Sequence, residues 1–265
     1  MSLSAYVSGL GVLGPGLASW PQAAAVLSGE AAYRASASVL PTPTILPAAE
    51  RRRVGRTVKL ALAVALEASS QAGADRATLA TVFTSSGADG HNCHELCQAL
   101  SLAGREISPT RFANSVHNAA AGYWSIGTGS MAASNVLCAF DASFAAGLLE
   151  AMTQVAVDQV DVLLVAYDSE YPQPLHAKRP IPDAFGAALL LTAHRRPSSV
   201  ATLEATISDL PFGRLTDPEL EGLRRAFPAA RALPLLRLLA MRSAGTAILE
   251  YLDVSRLQVR VEPCA

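Results

Sequence analysis

No run of apolar residues in this 265-residue chain is longer than the seven of Leu60–Leu66, whereas a membrane-spanning helix needs roughly 20. A membrane is therefore not expected as a partner. The first ten residues lack a basic segment ahead of an apolar one, so no secretory leader is read there and a cytoplasmic location is expected. The four cysteines follow no disulfide-scaffold spacing, in keeping with a reducing compartment. Charge is sparse too, at 16% of residues with a net of −1, and no basic stripe interleaved with aromatics appears. Nucleic acid is set aside on that ground. What the chain has in quantity is apolar side chains, 51% of the total, enough for one large packed domain over residues 1–265.

Two motifs invite a cofactor and fail on inspection. Strand Ala5–Gly9 runs into Gly9-Leu-Gly11-Val-Leu-Gly14, the spacing of a dinucleotide fingerprint. That motif requires a helix to begin at its second glycine, with an acid about 20 residues on. Here Pro15-Gly16 prolongs the loop and the next helix, Ser19–Leu27, ends at Gly29, so the segment reads as a Gly-rich turn. In Gly90-His91-Asn92-Cys93-His94-Glu95-Leu96-Cys97, two His and two Cys lie close together, but a helix would put His91, His94 and Glu95 on one face and Cys93 and Cys97 on another. A single tetrahedral site is not formed that way, and neither metal nor cofactor is expected.

Ala31–Pro47, with three prolines, reads as a loop, and Ala49–Ala72 as one long helix whose first turns carry Arg51, Arg52, Arg53, Arg56 and Lys59. Cations at a helix N-terminus oppose the macrodipole. The cluster is either a solvated face or a dock for an acidic partner. Thr78–Ser85 reads as a buried strand and Val160–Tyr167 as a strand covered on both faces. Further on come a Pro-rich loop Tyr171–Pro182, strands Ala184–Ala193 and Val200–Ser208, helices Asp217–Phe227 and Pro234–Arg242, and a last strand Leu257–Glu262. Strands alternating with helices predict a layered α/β fold with a mixed sheet.

The chain centres on Ile107–Gly147: a loop with aromatics and asparagines, a helix, a buried strand Ala133–Phe140, and a sharp turn into helix Phe144–Val157. Such a turn exposes its residue at a helix N-terminus, which is how several folds present a nucleophile. The turn residue here is Asp141.

These parts resemble, in order, the N-terminal half of β-ketoacyl synthases: Gly-Leu-Gly after the first strand, Ser85-Ser86-Gly87, Asn118-x-x-Ala121-Gly122, the elbow, then Arg179-Pro180 leading to a Gly-containing strand. Ile107–Ile126 and the Gly90–His94 segment are similar to the short ketosynthase-like subunits called chain length factors, found in aryl polyene and related pigment clusters. The resemblance covers roughly residues 4–193 and implies a thiolase-like layered fold with mixed sheet and an abbreviated C-terminal half, residues 199–265 being a shortened remnant.

The departures from a condensing enzyme are informative. A working ketosynthase has a Cys at the elbow, whose thiolate takes the acyl chain. Here Asp141 aligns with the nucleophile, Cys138 lies three residues earlier in the strand, and the later His176 and His194 lack the family's Gly/Thr-rich context. No catalytic residue is expected. Asp141 is read as a helix cap accepting backbone N–H bonds, or, in the alternative, as part of an acyl-thioester hydrolase or decarboxylase with His117 or Cys138. The resemblance implies a heterodimer with an active ketosynthase, the strands before the two elbows pairing across the interface. Phe112, Asn114, Ser115, Val116, His117, Asn118, Tyr123, Trp124, Cys138 and Phe140 would line that interface and the acyl pocket, core packing being the other reading of Tyr123 and Trp124. An acidic acyl carrier protein would meet Arg51, Arg52, Arg53, Arg56 and Lys59, or dock through the partner.

Overall fold

Along the run Val162–Tyr167 alternate side chains go to opposite cores: Val162, Leu164 and Ala166 pack into one cluster, and Leu163, Val165 and Tyr167 into the other. A strand with no polar face must be covered on both sides. The computed structural model, which describes residues 2–264, covers it with helices in a three-layer arrangement.

The elements in chain order are β1 (Leu3–Leu13), α1 (Trp20–Ser28), α2 (Ala48–Arg51), α3 (Arg56–Gln71), β2 (Ala80–Thr84), α4 (Gly90–Ser101), α5 (Pro109–Ala113), α6 (Ala119–Thr128) and β3 (Ser134–Leu137). A 3₁₀ turn, Phe140–Ala142, leads into α7 (Ser143–Asp158), β4 (Val162–Asp168), α8 (Leu175–Lys178), β5 (Phe185–Thr192) and β6 (Ala201–Ser208). After α9 (Pro218–Ala226) and a second 3₁₀ turn, Ala229–Ala232, the chain closes with α10 (Leu233–Met241), β7 (Gly245–Glu250) and β8 (Arg256–Pro263). One eight-stranded sheet runs in the order β3-β2-β4-β5-β1-β6-β8-β7. β2 is parallel to β3 and β4, and every other pairing is antiparallel. The expected layered α/β fold with a mixed sheet is what forms. Residues 199–264 continue the sheet from the β1 edge.

Helices α3 and α6 contribute to one core, and α1, α7, α9 and α10 to the other. The Gly-Leu-Gly segment is not a turn, as the sequence suggested, but the interior of β1. A Cβ on Gly9 would stand 2.1 Å from the Ala68 carbonyl oxygen, and one on Gly11 2.2 Å from that of Val64. The two glycines let the strand lie against the backbone of α3. Beyond Val7, β1 has no β6 neighbour, and α3 supplies the missing acceptors. Leu10 N–H donates to Gln71 Oε1 at 2.6 Å and Val12 N–H to Glu67 Oε2 at 3.0 Å, while Trp20 N–H, at the start of α1, donates to Glu67 Oε1 at 2.6 Å. Burial pushes the Glu67 carboxyl up, and these two N–H donors pull it back. Glu67→Ala strands both donors and is expected to cost about 3 kcal/mol in urea denaturation. A loss below about 1 kcal/mol would mean that water replaces the carboxylate.

Three sequence expectations change. The helix read over Ala49–Ala72 is broken into α2 and α3 by residues 52–55, with Gly55 extended at the start of α3. The break buries Val54 and frees the Arg53 carbonyl to accept from Asn114 Nδ2 at 2.9 Å. The strand read as buried over Ala133–Phe140 is the short β3, exposed to half-buried because it sits at the sheet edge. Strand β7 was not anticipated at all.

Candidate functional site at the strand-to-helix elbow

β3 ends beside β2, whose last residue Thr84 pairs with Leu137. The chain then reverses within Ala139–Ser143. Phe140 carries the strain of the reversal, with φ 51° in the left-handed region that non-glycine residues rarely adopt. Ser143 holds the reversal: its hydroxyl donates to the Phe140 carbonyl at 2.7 Å and accepts from Ala139 N–H at 3.1 Å. The capping role expected of Asp141 is corrected, since no side chain caps the start of α7 and the serine only pins the reversal before it.

Asp141 instead faces two arginines. Its Oδ1 accepts from Arg179 at 2.5 Å and its Oδ2 from Arg231 at 2.9 Å. The Arg179 guanidinium also lies 3.7 Å from the centre of the Phe140 ring, a cation–π contact that covers the strained residue. Arg231 is further paired with Glu250 on β7, which also takes Arg224 of α9 at 3.1 Å. Glu221, held down to about 2 chiefly by its hydrogen bond from Arg224, completes an ionic chain from the elbow into the C-terminal segment. Neither His117 nor Cys138 is among the partners of Asp141. The Cys138 thiol donates to the Ser86 carbonyl at 3.3 Å, and His117 is half-buried with its Nε2 lacking a partner. The pairs supposed in the acyl-thioester alternative are not assembled.

Beneath the elbow lies a residue the sequence reading missed. Asp168, fully buried at the end of β4, accepts at Oδ1 from Ser86 N–H (2.8 Å), Ser86 Oγ–H (2.6 Å) and Ser85 Oγ–H (3.3 Å), and at Oδ2 from Ala229 N–H (2.9 Å). It joins the strand end that meets Cys138 to the turn that carries Arg231. An acid closing an otherwise apolar strand was its only sequence signal.

The residues assigned to the interface separate into two sets. Phe112, Ser115, Val116, Asn118, Cys138 and Phe140 are exposed. Phe112, 66% exposed, and Phe140, 60%, are unusually open for phenylalanine. Trp124, however, is 1% exposed in the chain's own core and cannot touch a partner. Tyr123 and Asn114 are buried and bonded to each other, Tyr123 donating its hydroxyl proton to Asn114 Oδ1 at 3.0 Å. They form one wall of a cleft of about 460 Å³ that also includes Val116, Asn118, Gly122 and Ile126.

The basic cluster does not crown one helix. Arg51 ends α2, and Arg56 and Lys59 begin α3. Arg56 is paired with Glu170 and Asp183, each at 2.7 Å, and Arg53 with Glu50 at 2.8 Å. Among the described residues, Arg51, Arg52 and Lys59 have no carboxylate at salt-bridge distance. On α4, His91 stands 3.9 Å from Glu95, which pairs with Arg111, while burial and the neighbouring Cys97 push the Cys93 thiol up. Among the described residues, no group of three potential ligands is placed to hold a metal ion. Nor is any helix there long and apolar enough to cross a membrane.

The family model described as β-ketoacyl synthase, N-terminal domain, matches residues 19–228. The chain belongs to the β-ketoacyl synthase family. No curated protein sequence matches it. Among solved structures, this β-ketoacyl synthase homologue is similar to a chain in the complex of the ketosynthase ApeO with its chain length factor ApeC from Xenorhabdus doucetiae. The TM-score is 0.73 and the identity 25%, over 97% of this chain and 99% of that one. It also resembles the ishigamide ketosynthase/chain length factor (TM-score 0.73, 12% identity, 99% of this chain and 100% of that one). A third likeness is to the AntDE:AntF complex of a type II polyketide acyl-carrier protein with its ketosynthase (0.75, 11%, 100% of each chain). At 11% and 12% identity these last two speak for the fold alone. In this β-ketoacyl synthase homologue the strained residue of the elbow is a phenylalanine and the next is a salt-bridged aspartate.

Proposed function

We propose that this chain is a non-catalytic, chain-length-factor-like subunit that heterodimerises with an active β-ketoacyl synthase in carrier-bound polyketide, aryl polyene or fatty-acid-type elongation. The observation that carries the reading is the closed elbow, where both carboxylate oxygens of Asp141 are held by arginines. Nucleophilic attack on a thioester requires an activated, accessible group at that turn. The likeness to a chain in the ApeO–ApeC complex, matched over 99% of its length, supports the same reading. Residues 199–265 are, on this view, the shortened remnant of the second half.

The partner would add to the free edge of β3. Ala133 C=O accepts from Thr81 N–H of β2 and Leu137 C=O from Ser85 N–H, so alternate residues on β3, Ser134 and Val136, aim their backbone groups away from the sheet. An unpaired edge of this kind is a template for another strand. Phe112, Val116 and Phe140 would flank it, with Asn114, Tyr123 and Trp124 supporting them from within. An acidic carrier protein would have Arg51, Arg52 and Lys59 to meet on this subunit.

Co-expression with the neighbouring ketosynthase, followed by size-exclusion chromatography, is expected to give a one-to-one complex. Val136→Pro removes one outward N–H and leaves the β2 ladder untouched. It is expected to weaken the complex by roughly 100-fold while the circular dichroism of the isolated chain stays the same, since it deletes an interfacial hydrogen bond and sets a ring against the partner strand. An intact complex with this variant would reject strand pairing at β3. A chain that never associates with the ketosynthase would reject the subunit reading itself.

A further inference from the structure

Between the elbow and α9 lies a recess that a non-catalytic elbow does not require. One part, about 260 Å³, is bounded by Asp141, Arg179, Arg225 and Arg231 together with Pro180 and Pro228. The other part, about 520 Å³, is bounded by Phe212, Arg214, Arg224, Glu221 and Glu250, and Arg225 and Arg231 line both. Five guanidinium groups therefore surround the recess, against three carboxylates.

Those carboxylates are already occupied: Asp141 by Arg179 and Arg231, Glu221 by Arg224, and Glu250 by Arg224 and Arg231. Arg214 and Arg225 are exposed at the mouth, and among the described residues neither has a carboxylate at salt-bridge distance. Among the described residues, the buried Nε atoms of Arg179 and Arg231 find no acceptor. A buried donor without an acceptor is costly and rare in a folded protein. Burial, more than its charged neighbours, depresses the Arg231 pKa: Asp141 and Asp168 pull it up while Arg224 and Arg179 push it down.

We propose that the larger part of this recess, lined by Arg214, Arg224, Arg225 and Arg231, binds a phosphate group, with Arg214 and Arg225 supplying the guanidinium groups that no carboxylate already holds. A tetrahedral oxyanion can accept from more guanidinium forks, arriving in more directions, than a planar carboxylate can. The larger part admits a phosphate with its hydration, and the Phe212 ring, with guanidiniums at 5.1 and 5.7 Å, keeps Arg224 and Arg214 in place.

The inference stands apart from the subunit proposal, because it concerns this chain alone and is measured without a partner. Isothermal titration of the full chain with inorganic phosphate, glycerol 3-phosphate and acetate decides it. Saturable, salt-sensitive binding of phosphate or of the ester, at least tenfold tighter than acetate, is expected. It should weaken at least tenfold in Arg225→Ala with Arg214→Ala and remain in Arg52→Ala, which lies outside the recess. Equal affinity for phosphate and its ester supports the site with the free ion as ligand, and tighter ester binding supports it with the ester. No saturable binding at millimolar concentration, or binding unaffected by the double substitution, overturns it. Thermal melting of the double variant confirms that these two exposed side chains were removed from a folded protein.

Discussion

Asp168→Ala is expected to destabilise the protein by about 4 kcal/mol, because four donors converge on that carboxylate where water does not reach. The same burial pushes its carboxyl up to about 6, against the stabilising pull of the Ser86 and Ala229 donors and of the Arg179 charge. The unfolded chain loses this proton near pH 3.9. Between that value and about 6, the native state still holds a proton that the unfolded state has released. Stability therefore falls as pH rises through this window and levels off above it, by about 3 kcal/mol for this group. Glu67, also raised, acts in the same direction, whereas Glu221, lowered, contributes stability that is lost as pH falls toward about 2. The Asp168 contribution is isolated by comparing urea denaturation of the wild type and Asp168→Asn from pH 4.5 to 7.5. The wild type should lose stability over that range relative to the variant, and parallel profiles would refute the assignment. The effect reaches the elbow, since Asp168 fixes both the strand end that receives the Cys138 thiol and the turn from which Arg231 reaches Asp141.

Much of this fold was legible because its strands have both faces covered. Val-Asp-Val-Leu-Leu-Val-Ala-Tyr announces burial on both sides whatever the topology, and β4 and β5 are buried throughout. The break at 52–55 was hidden because Ala, Leu and Val continue at helical spacing beyond it, and the reason for it lies in the Asn114 side chain, 61 residues from Arg53. β3 misled for the opposite reason: Val136, Leu137 and Phe140 are as apolar as core residues, but the sheet ends there. β7 alternates in burial, Ala247 and Leu249 being buried between Thr246, Ile248 and Glu250, but Ala-Ile-Leu hides that alternation in an apolar run. The elbow itself could be located from sequence, but not its chemistry. Arg179 and Arg231 lie 38 and 90 residues from Asp141, and only the packing of the C-terminal segment onto the rest of the sheet brings both to one carboxylate.

Gly11→Val should be among the most damaging single changes in β1, at about 4 kcal/mol or more, although valine is a better strand former than glycine. By propensity alone the substitution would stabilise, through a less flexible unfolded chain and a β-branched side chain suited to a strand. The geometry reverses the sign. The new Cβ would stand 2.2 Å from the Val64 carbonyl oxygen, 3.0 Å from its carbon and 3.2 Å from the Ala68 nitrogen, and backbone atoms cannot rotate away. Relief requires α3 to lift from the sheet. Glu67 and Gln71 would then leave the N–H groups of Val12, Trp20 and Leu10, so that the clash also removes the acceptors for the open side of β1. Gly222→Ala is the control: Gly222 lies in α9, a Cβ there meets nothing within 4 Å, and a gain of about 0.5–1 kcal/mol is expected from helix propensity. Urea midpoints for the two variants should move in opposite directions. A Gly11→Val protein as stable as the wild type would show that α3 does not rest on β1, and the glycine spacing at the start of the chain would again need an explanation other than helix-on-strand contact.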